Sequence, residues 1–327
     1  MTGTTQPGGP SRSGGNPSPA RPPFPARPTL PPPASAGGTV PPAGEPLQVT
    51  PRATWLLAPN PGPMTFDGTN SWVLHEPGCR GAVIVDPGPD DPGHLGALVA
   101  LAQELGGEVT AILVTHGHPD HTGGVAETAR RTGAPVLCAG RRLADTVLRP
   151  GPLTLAGLRI EVLATPGHSS DSLSFHLPDE RSMVTGDTVL GRSAPVILDP
   201  DGRVDAMLTS LEAITRVLGG GRGNRGNGGD AGEAGPVILP GHGPLVREPA
   251  SQLTFAVAAR EARLAQAEAA VDAGCRTVSA VAMSMYGPFD ERIRPGIEAT
   301  ARAHLRYLAD HDRLSWPVDL TATGPRW

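Results

Sequence analysis

Three observations predict an α/β fold. Short apolar runs recur along the chain, several of them open into glycine-containing turns that end on a metal-binding side chain, and segments with helical patterning lie between the runs. Residues 82–85 and 109–114 (VTAILV) read as buried strands, as do 160–164, 183–185 and 237–239. Helices are expected near 92–105, 123–132 and 141–148. A further helix at 204–218 carries Val204, Leu208, Leu211, Ile214 and Leu218 on one stripe, which suits packing on a sheet. Beyond Pro249 come a long Ala/Arg/Glu-rich helix at 251–272 that ends at Gly274, then helices at 277–286 and 294–311.

The flanks differ in kind. Residues 1–46 hold 14 Pro and 8 Gly and almost no large apolar side chain, too little to offset the entropy of ordering, so a disordered tail is expected. Residues 219–235 hold nine Gly in 17 positions and read as a flexible surface insertion. The folded part thus divides into a unit at 47–250 and a small helical unit at 251–315, with a tail at 316–327.

The segment Thr115-His116-Gly117-His118-Pro119-Asp120-His121 puts three imidazoles and a carboxylate directly after the run at 109–114. Side chains at i and i+2 of extended chain point the same way, which lets His116 and His118 share one ion. Pro119 then stiffens the turn and gives Asp120 and His121 another direction, so a second ion fits. Later strands repeat the grammar: 160–164 leads to Gly167-His168, 183–185 to Gly186-Asp187, and 237–239 to Gly241-His242. A lone Gly-His means little; the recurrence carries the weight.

In this order THGHPDH, TPGHS, TGD and PGH resemble the successive motifs of the metallo-β-lactamase-fold hydrolase superfamily, over about residues 47–250. The resemblance implies a four-layer αβ/βα sandwich with its metal cleft on loops at one edge where two sheets meet. It implies that His116, His118 and His168 hold one ion, that Asp120, His121 and His242 hold another, and that Asp187 bridges them. Asp rather than Cys at 187 is similar to the glyoxalase II, lactonase and RNA-processing branches and unlike the zinc β-lactamases. FDGTNSWVL (66–74), VDPG (85–88), PGHSSDSLSF (166–175), GDTVLG (186–191) and LPGHGP (239–244) most resemble the beta-lactamase-like protein 2 branch. That branch implies endoribonuclease action on single-stranded RNA and a C-terminal winged-helix-like module, for which a wall or lid over the cleft is the expected role.

Two divalent ions roughly 3.5–4 Å apart lower the pKa of a shared water and polarise a carbonyl or phosphoryl oxygen. Zinc suits the donor set, with Mn or Fe compatible at the oxygen-containing second position. Asp120 is the expected base or proton shuttle. Asp86 is either a carboxylate supporting a ligand histidine or the start of an Asp-Pro-Gly turn. Thr69 and Asn70 are either a turn after Gly68 or polar groups at the cleft mouth, Thr185 is a candidate support beside Asp187, and Ser172 either faces the site or begins a strand. His75, His94, His176, His304 and His311 lie in no strand-turn-donor unit and are expected to be structural or superficial.

Composition narrows the function. Three well-separated cysteines argue against a disulfide framework, and no run of about 18 apolar residues is present, so a cytoplasmic protein without a membrane span is expected. All 27 basic residues are Arg, which with abundant Ala, Gly and Pro resembles a high-GC bacterial source. A net charge of −5 and only 11 Phe, Trp or Tyr give little footprint for nucleic acid. Within 251–327 nine Arg face nine Asp plus Glu, a neutral appendage. Substrates therefore divide between single-stranded RNA, put marginally ahead by the branch resemblance, and a small ester, thioester or lactone. An iron-dependent oxidoreductase is the alternative from another class.

Overall fold

Alternating side chains on the strands sort the apolar residues into three buried clusters, and these clusters set the layers. The computed structural model describes residues 37–220 and 235–320. The expected tail at 1–46 therefore lies outside the described residues up to 36, as do the Gly-rich insertion through 221–234 and the last seven residues of the chain.

The first sheet has seven strands in sequence order: β1 (Leu47–Gln48), β2 (Ala53–Leu57), β3 (Asn70–Leu74), β4 (Ala82–Val85), β5 (Val109–Leu113), β6 (Val136–Cys138) and β7 (Thr146–Val147). Strands β1 to β4 pair antiparallel, and β4 to β7 pair parallel. The parallel part requires crossovers. Helix α1 (Pro92–Gly106) makes the first, and α2 (Pro119–Thr122) with α3 (Val125–Thr132) makes the second. The side chain of Asp91 caps α1 by accepting from the His94 amide, Pro92 follows in the first turn, and Gly107 at φ 79° ends the helix.

The second sheet takes β8 (Gly151–Leu155), β9 (Leu158–Ala164), β10 (Leu173–Leu177), β11 (Ser182–Gly186) and β12 (Val237–Pro240), in the order β12-β11-β10-β9-β8. Helix α4 (Val204–Gly219) is the crossover between the parallel strands β11 and β12. Helices α5 (Pro249–Asp272), α6 (Val278–Tyr286) and α7 (Arg294–Asp310) follow.

Trp72, Leu74, Val83, Val85 and Leu113 face Leu158, Ile160, Phe175 and Leu239 in the core between the sheets, where Trp55 and Trp72 stack at 5.6 Å. Val73, Ile84 and Ile112 point the other way, to Leu98 and Ala102 of α1 and Val125 of α3. Met183 and Ile238 leave the second sheet outward to α4–α7. The layers are therefore helix, sheet, sheet, helix, and the C-terminal helices share one continuous core with α4. Among the described residues the β contact of this helical region is an isolated bridge between Thr277 and Asp319.

One expected helix is absent. Residues 141–148 form a turn and the two-residue β7, because Thr146 and Val147 pair with Leu137 and Cys138 at the sheet edge and the Asp145 carboxylate accepts from the Val136 amide at 2.8 Å. β-branched residues gain more as an edge strand than as an isolated two-turn helix. No helix among the described residues is long and apolar enough to cross a membrane.

Trp72 is fully buried between the sheets. Trp72→Ala is expected to lower the unfolding free energy by about 3–5 kcal/mol in urea titrations; a loss below about 1 kcal/mol contradicts this packing. His94, on α1, lies 3.0 Å through Nε2 from Ser71 Oγ, and burial pushes its pKa from 6.5 down to about 4. The folded ring stays neutral while the unfolded ring protonates. Its stabilisation is thus complete above pH 6.5 and is lost as pH falls toward 4. Between pH 7 and 4.5 stability should fall less steeply in His94→Gln than in the native chain, and equal slopes refute the assignment.

Candidate metal centre

Five loops meet at the edge where the two sheets come together, and each leaves a strand end or enters one. His116 and His118 follow β5, with Asp120 and His121 on the single turn of α2. His168 follows β9, Asp187 follows β11, His242 follows β12, and Gly68 precedes β3. Strand ends are rigid, so the donors are aimed before any ligand arrives.

The seven donors expected from the motifs converge. His118 Nδ1 lies 3.0 Å from His116 Nε2 and 2.9 Å from His168 Nε2. His242 Nε2 lies 3.3 Å from His121 Nε2 and 3.2 Å from Asp120 Oδ2. Asp187 sits between the two groups, with Oδ1 3.4 Å from His121 Nε2 and Oδ2 3.6 Å from His168 Nε2 and 3.4 Å from His242 Nε2. The sets His116/His118/His168, His116/His121/Asp187 and Asp120/His121/His242 could each hold a metal ion.

The opposite ring nitrogens are tied down. His121 Nδ1 donates to Asp86 Oδ2 at 2.8 Å, His168 Nδ1 to the Val196 carbonyl at 2.9 Å, and His242 Nδ1 to the Gly68 carbonyl at 3.0 Å. Thr115 Oγ1 donates to Asp86 Oδ2 at 2.7 Å and thus accepts from His116 Nδ1 at 3.0 Å. Protons held on Nδ1 leave the Nε2 lone pairs of His121 and His242 facing each other at 3.3 Å and those of His116 and His168 both aimed at His118 Nδ1, an arrangement that a cation among them relieves. Asp187 Oδ1 is buried without a hydrogen-bond partner. Uncompensated lone pairs and an orphaned carboxylate oxygen fit divalent ions, with N and O donors suited to zinc chemistry.

Electrostatics point the same way. Burial pushes His116 well below its ordinary pKa, helped by the neighbouring imidazoles. Burial likewise lowers His118. Burial opposes charge on His121 and His242, yet the Asp187 carboxylate, with Asp86 and Asp120 respectively, overrides it; His121 rises well above 6.5 and His242 reaches about 9. Burial likewise opposes charge on Asp187 and Asp120, but the adjacent imidazoles hold both carboxyls below their usual range. The pocket demands positive charge beside its carboxylates, as metal ions or as protons.

The remaining candidates resolve differently. Asp86, at φ 49°, accepts from the Thr115 amide at 2.8 Å as well as from Thr115 Oγ1 and His121, so its carboxylate braces the donor loop. Asn70 is not at the cleft mouth: it is fully buried, accepts from Trp55 Nε1, and donates to the Pro240 and Gly243 carbonyls at 2.9 Å each. Thr69 is also buried, held by Asn60 and bridged to His242 along the backbone. Thr185 turns away from the donors and donates to the Val189 carbonyl at 3.0 Å. Ser172 immediately precedes β10, with its Oγ 2.7 Å from Ser169 Oγ. The glycine of Gly241 is required by space, because a Cβ there would collide with Asp187 Oδ1 and come within 2.8 Å of His121 Cε1.

Sequence reasoning missed Thr115 and the carbonyls of Gly68 and Val196. Thr115 carries a signal, a hydroxyl directly before the first ligand-type histidine; backbone carbonyls carry none. It also missed the cleft walls. A cleft with about 570 Å³ of empty space, open mouth included, is floored by His118, Asp120, His168 and Asp187 and walled by Pro63, Met64 and Phe66 on one side and Leu190 and residues 193–196 and 198 on the other.

Both the sequence and the fold have relatives. Residues 64–146 match the family model described as "Metallo-beta-lactamase superfamily". A beta-lactamase domain protein from Burkholderia ambifaria superposes with a TM-score of 0.65 at 21% identity, covering 84% of this chain and 91% of that one. The fold is that of the metallo-beta-lactamase superfamily. An atrochrysone carboxyl ACP thioesterase from Aspergillus chevalieri is 31% identical over 169 residues, 50% of this chain and 54% of that protein. A beta-lactamase-like protein 2 homolog from Caenorhabditis elegans is 28% identical over 214 residues, 62% of this chain and 65% of that protein. The chain spans about half the length of the thioesterase relatives it matches, at 54% and 51%.

Asp86→Asn keeps the shape but cannot accept all three bonds. It is expected to weaken divalent-metal binding roughly 10–100-fold in a chelator competition assay; unchanged affinity would show that Asp86 only closes a turn.

Proposed function

We propose that the chain is a dinuclear metal-dependent hydrolase acting on a small acyl thioester or ester. His116, His118 and His168 would hold one ion, Asp120, His121 and His242 the other, with Asp187 shared and zinc the default metal. Bound ions of this kind make water nucleophilic near neutral pH and polarise a carbonyl oxygen.

The protein's own groups supply the rest. Asp120 is 29% exposed while His242 beside it is 1% exposed, so this carboxylate combines a place among the donors with access to the cleft. It would take up the proton released by the attacking water and return it to the departing thiolate or alkoxide, which leaves as the thiol or alcohol. Asp86 fixes the proton of His121 on Nδ1, and the Val196 and Gly68 carbonyls do the same for His168 and His242.

The observation that favours an acyl substrate is the character of the walls. Met64, Phe66, Leu190, Pro195, Val196 and Leu198 line the cleft, and no Arg is among the lining residues. Apolar walls suit an acyl chain or aromatic acid, whereas a phosphodiester backbone calls for cations along its track. Arg192, nearby in sequence, is ion-paired with Asp67 at 2.9 Å. The thioesterase name of one relative points to thioesters, and the beta-lactamase-like protein 2 name of another keeps single-stranded RNA as the competing substrate. Three free cysteines accord with a reducing, cytoplasmic compartment.

Zinc-loaded protein is expected to hydrolyse an S-acyl N-acetylcysteamine thioester and to lose turnover on chelation. Asp120→Ala should reduce kcat by about 10²–10⁴-fold. Turnover surviving both metal removal and Asp120→Ala refutes the mechanism; cleavage of single-stranded RNA with no thioester turnover transfers the reading to RNA.

A further inference from the structure

Arg260 of α5 is 3% exposed and has no carboxylate partner among the described residues, an unusual state for a guanidinium. Burial pulls its pKa down to about 10. Its Nη2 donates to the Pro195 carbonyl at 2.7 Å, its Nη1 lies 3.3 Å from His304 Nε2, and its Nε has no partner. His304 is itself buried on α7 and donates through Nδ1 to the Thr300 carbonyl at 2.7 Å, which leaves its Nε2 lone pair to accept from Arg260. The C-terminal helices thus hold a costly buried cation in one orientation, with its strongest bond on a cleft-wall carbonyl.

The next carbonyl along that wall belongs to Val196, which accepts from His168 Nδ1 at 2.9 Å. Pro195 and Val196 are joined by one peptide unit, so the position of the first carbonyl restricts the second. The same loop is anchored twice more from the C-terminal helices. Gln252 of α5 donates to the Leu190 carbonyl at 2.6 Å, and Arg306 of α7 pairs with Asp199 at 2.5 Å. Of the three ties, the one from Arg260 lies next to the histidine's acceptor.

We propose that Arg260 is a positioning residue for the metal centre: through the Pro195 carbonyl it sets the Val196 carbonyl that orients His168, so that the C-terminal helices tune the ion held by His116, His118 and His168. The proposal rests on the metal reading above. It assigns the helical region a function independent of nucleic acid, as the outer support of one half of the site.

The test is a two-step zinc competition titration with a chromophoric chelator, on the full chain and on Arg260→Met and Arg260→Lys. Methionine fills similar space without a donor. Lysine keeps the charge but replaces the planar guanidinium fork with a single rotatable ammonium, so the fixed geometry toward Pro195 and His304 is lost. In Arg260→Met one of the two zinc affinities should fall roughly 10–100-fold while the other stays within about threefold; in Arg260→Lys the same affinity should fall by at least about fivefold. A folded variant of either kind that keeps both affinities within about twofold overturns the proposal, and so does an equal loss at both, which marks a merely structural role. A native chain that binds no zinc instead defeats the metal reading, leaving the two failures distinct.

Discussion

A pocket that gathers three carboxylates, Asp86, Asp120 and Asp187, with five imidazoles needs positive charge among its donors. That constraint governs the rest of the molecule. With most rings pinned through Nδ1, the lone pairs left on Nε2 of His116, His121, His168 and His242 turn inward with His118 Nδ1 and Asp187. Such a cluster is held together by cations and pushed apart without them. The backbone around it must therefore be stiff, and strand ends braced by buried hydrogen bonds provide the stiffness.

Core and centre are mechanically continuous. Trp55 stacks on Trp72 between the sheets and donates to Asn70, and Asn70 ties down the two carbonyls flanking the Gly241-His242 pair. Asp86 directly follows β4 and grips the loop that follows β5, so two neighbouring strands set the position of His121. On the other sheet, Gly167 passes within contact of the Met207 backbone on α4, and the Arg203 amide donates to the Gly167 carbonyl at 2.9 Å. The helix stripe that buries Val204, Met207 and Leu211 thereby also locates the turn before His168.

Legibility in the sequence followed the range of the interaction. Strand 82–85, helix 204–218 and the C-terminal helices announce themselves by local periodicity and terminate within a few residues of the expected places, because local patterning and burial agree there. Segment 141–148 misled because its polar start resembles a helix while its end is claimed by β6, a partner visible only after folding. The sequence left the roles of Thr69, Asn70 and Thr185 open. Polar residues beside a motif can meet ligand or support the fold; Asn70 and Thr185 donate to buried carbonyls and Thr69 is held by the Asn60 side chain, a use of polarity that leaves no distinct mark on the chain.

The sequence by itself determined the donor chemistry: which seven side chains follow strand-and-turn units, that Asp and not Cys stands at 187, and that the fold alternates strands with helices. The tertiary structure alone decided how those donors are supported and what they face. The Val196 and Gly68 carbonyls, the bond from Arg260 to Pro195 and the apolar walls around Met64 and Leu198 join segments far apart in the chain. A side chain's identity is written locally, whereas the direction of a backbone carbonyl and the lining of a cleft exist only once distant segments have packed against each other.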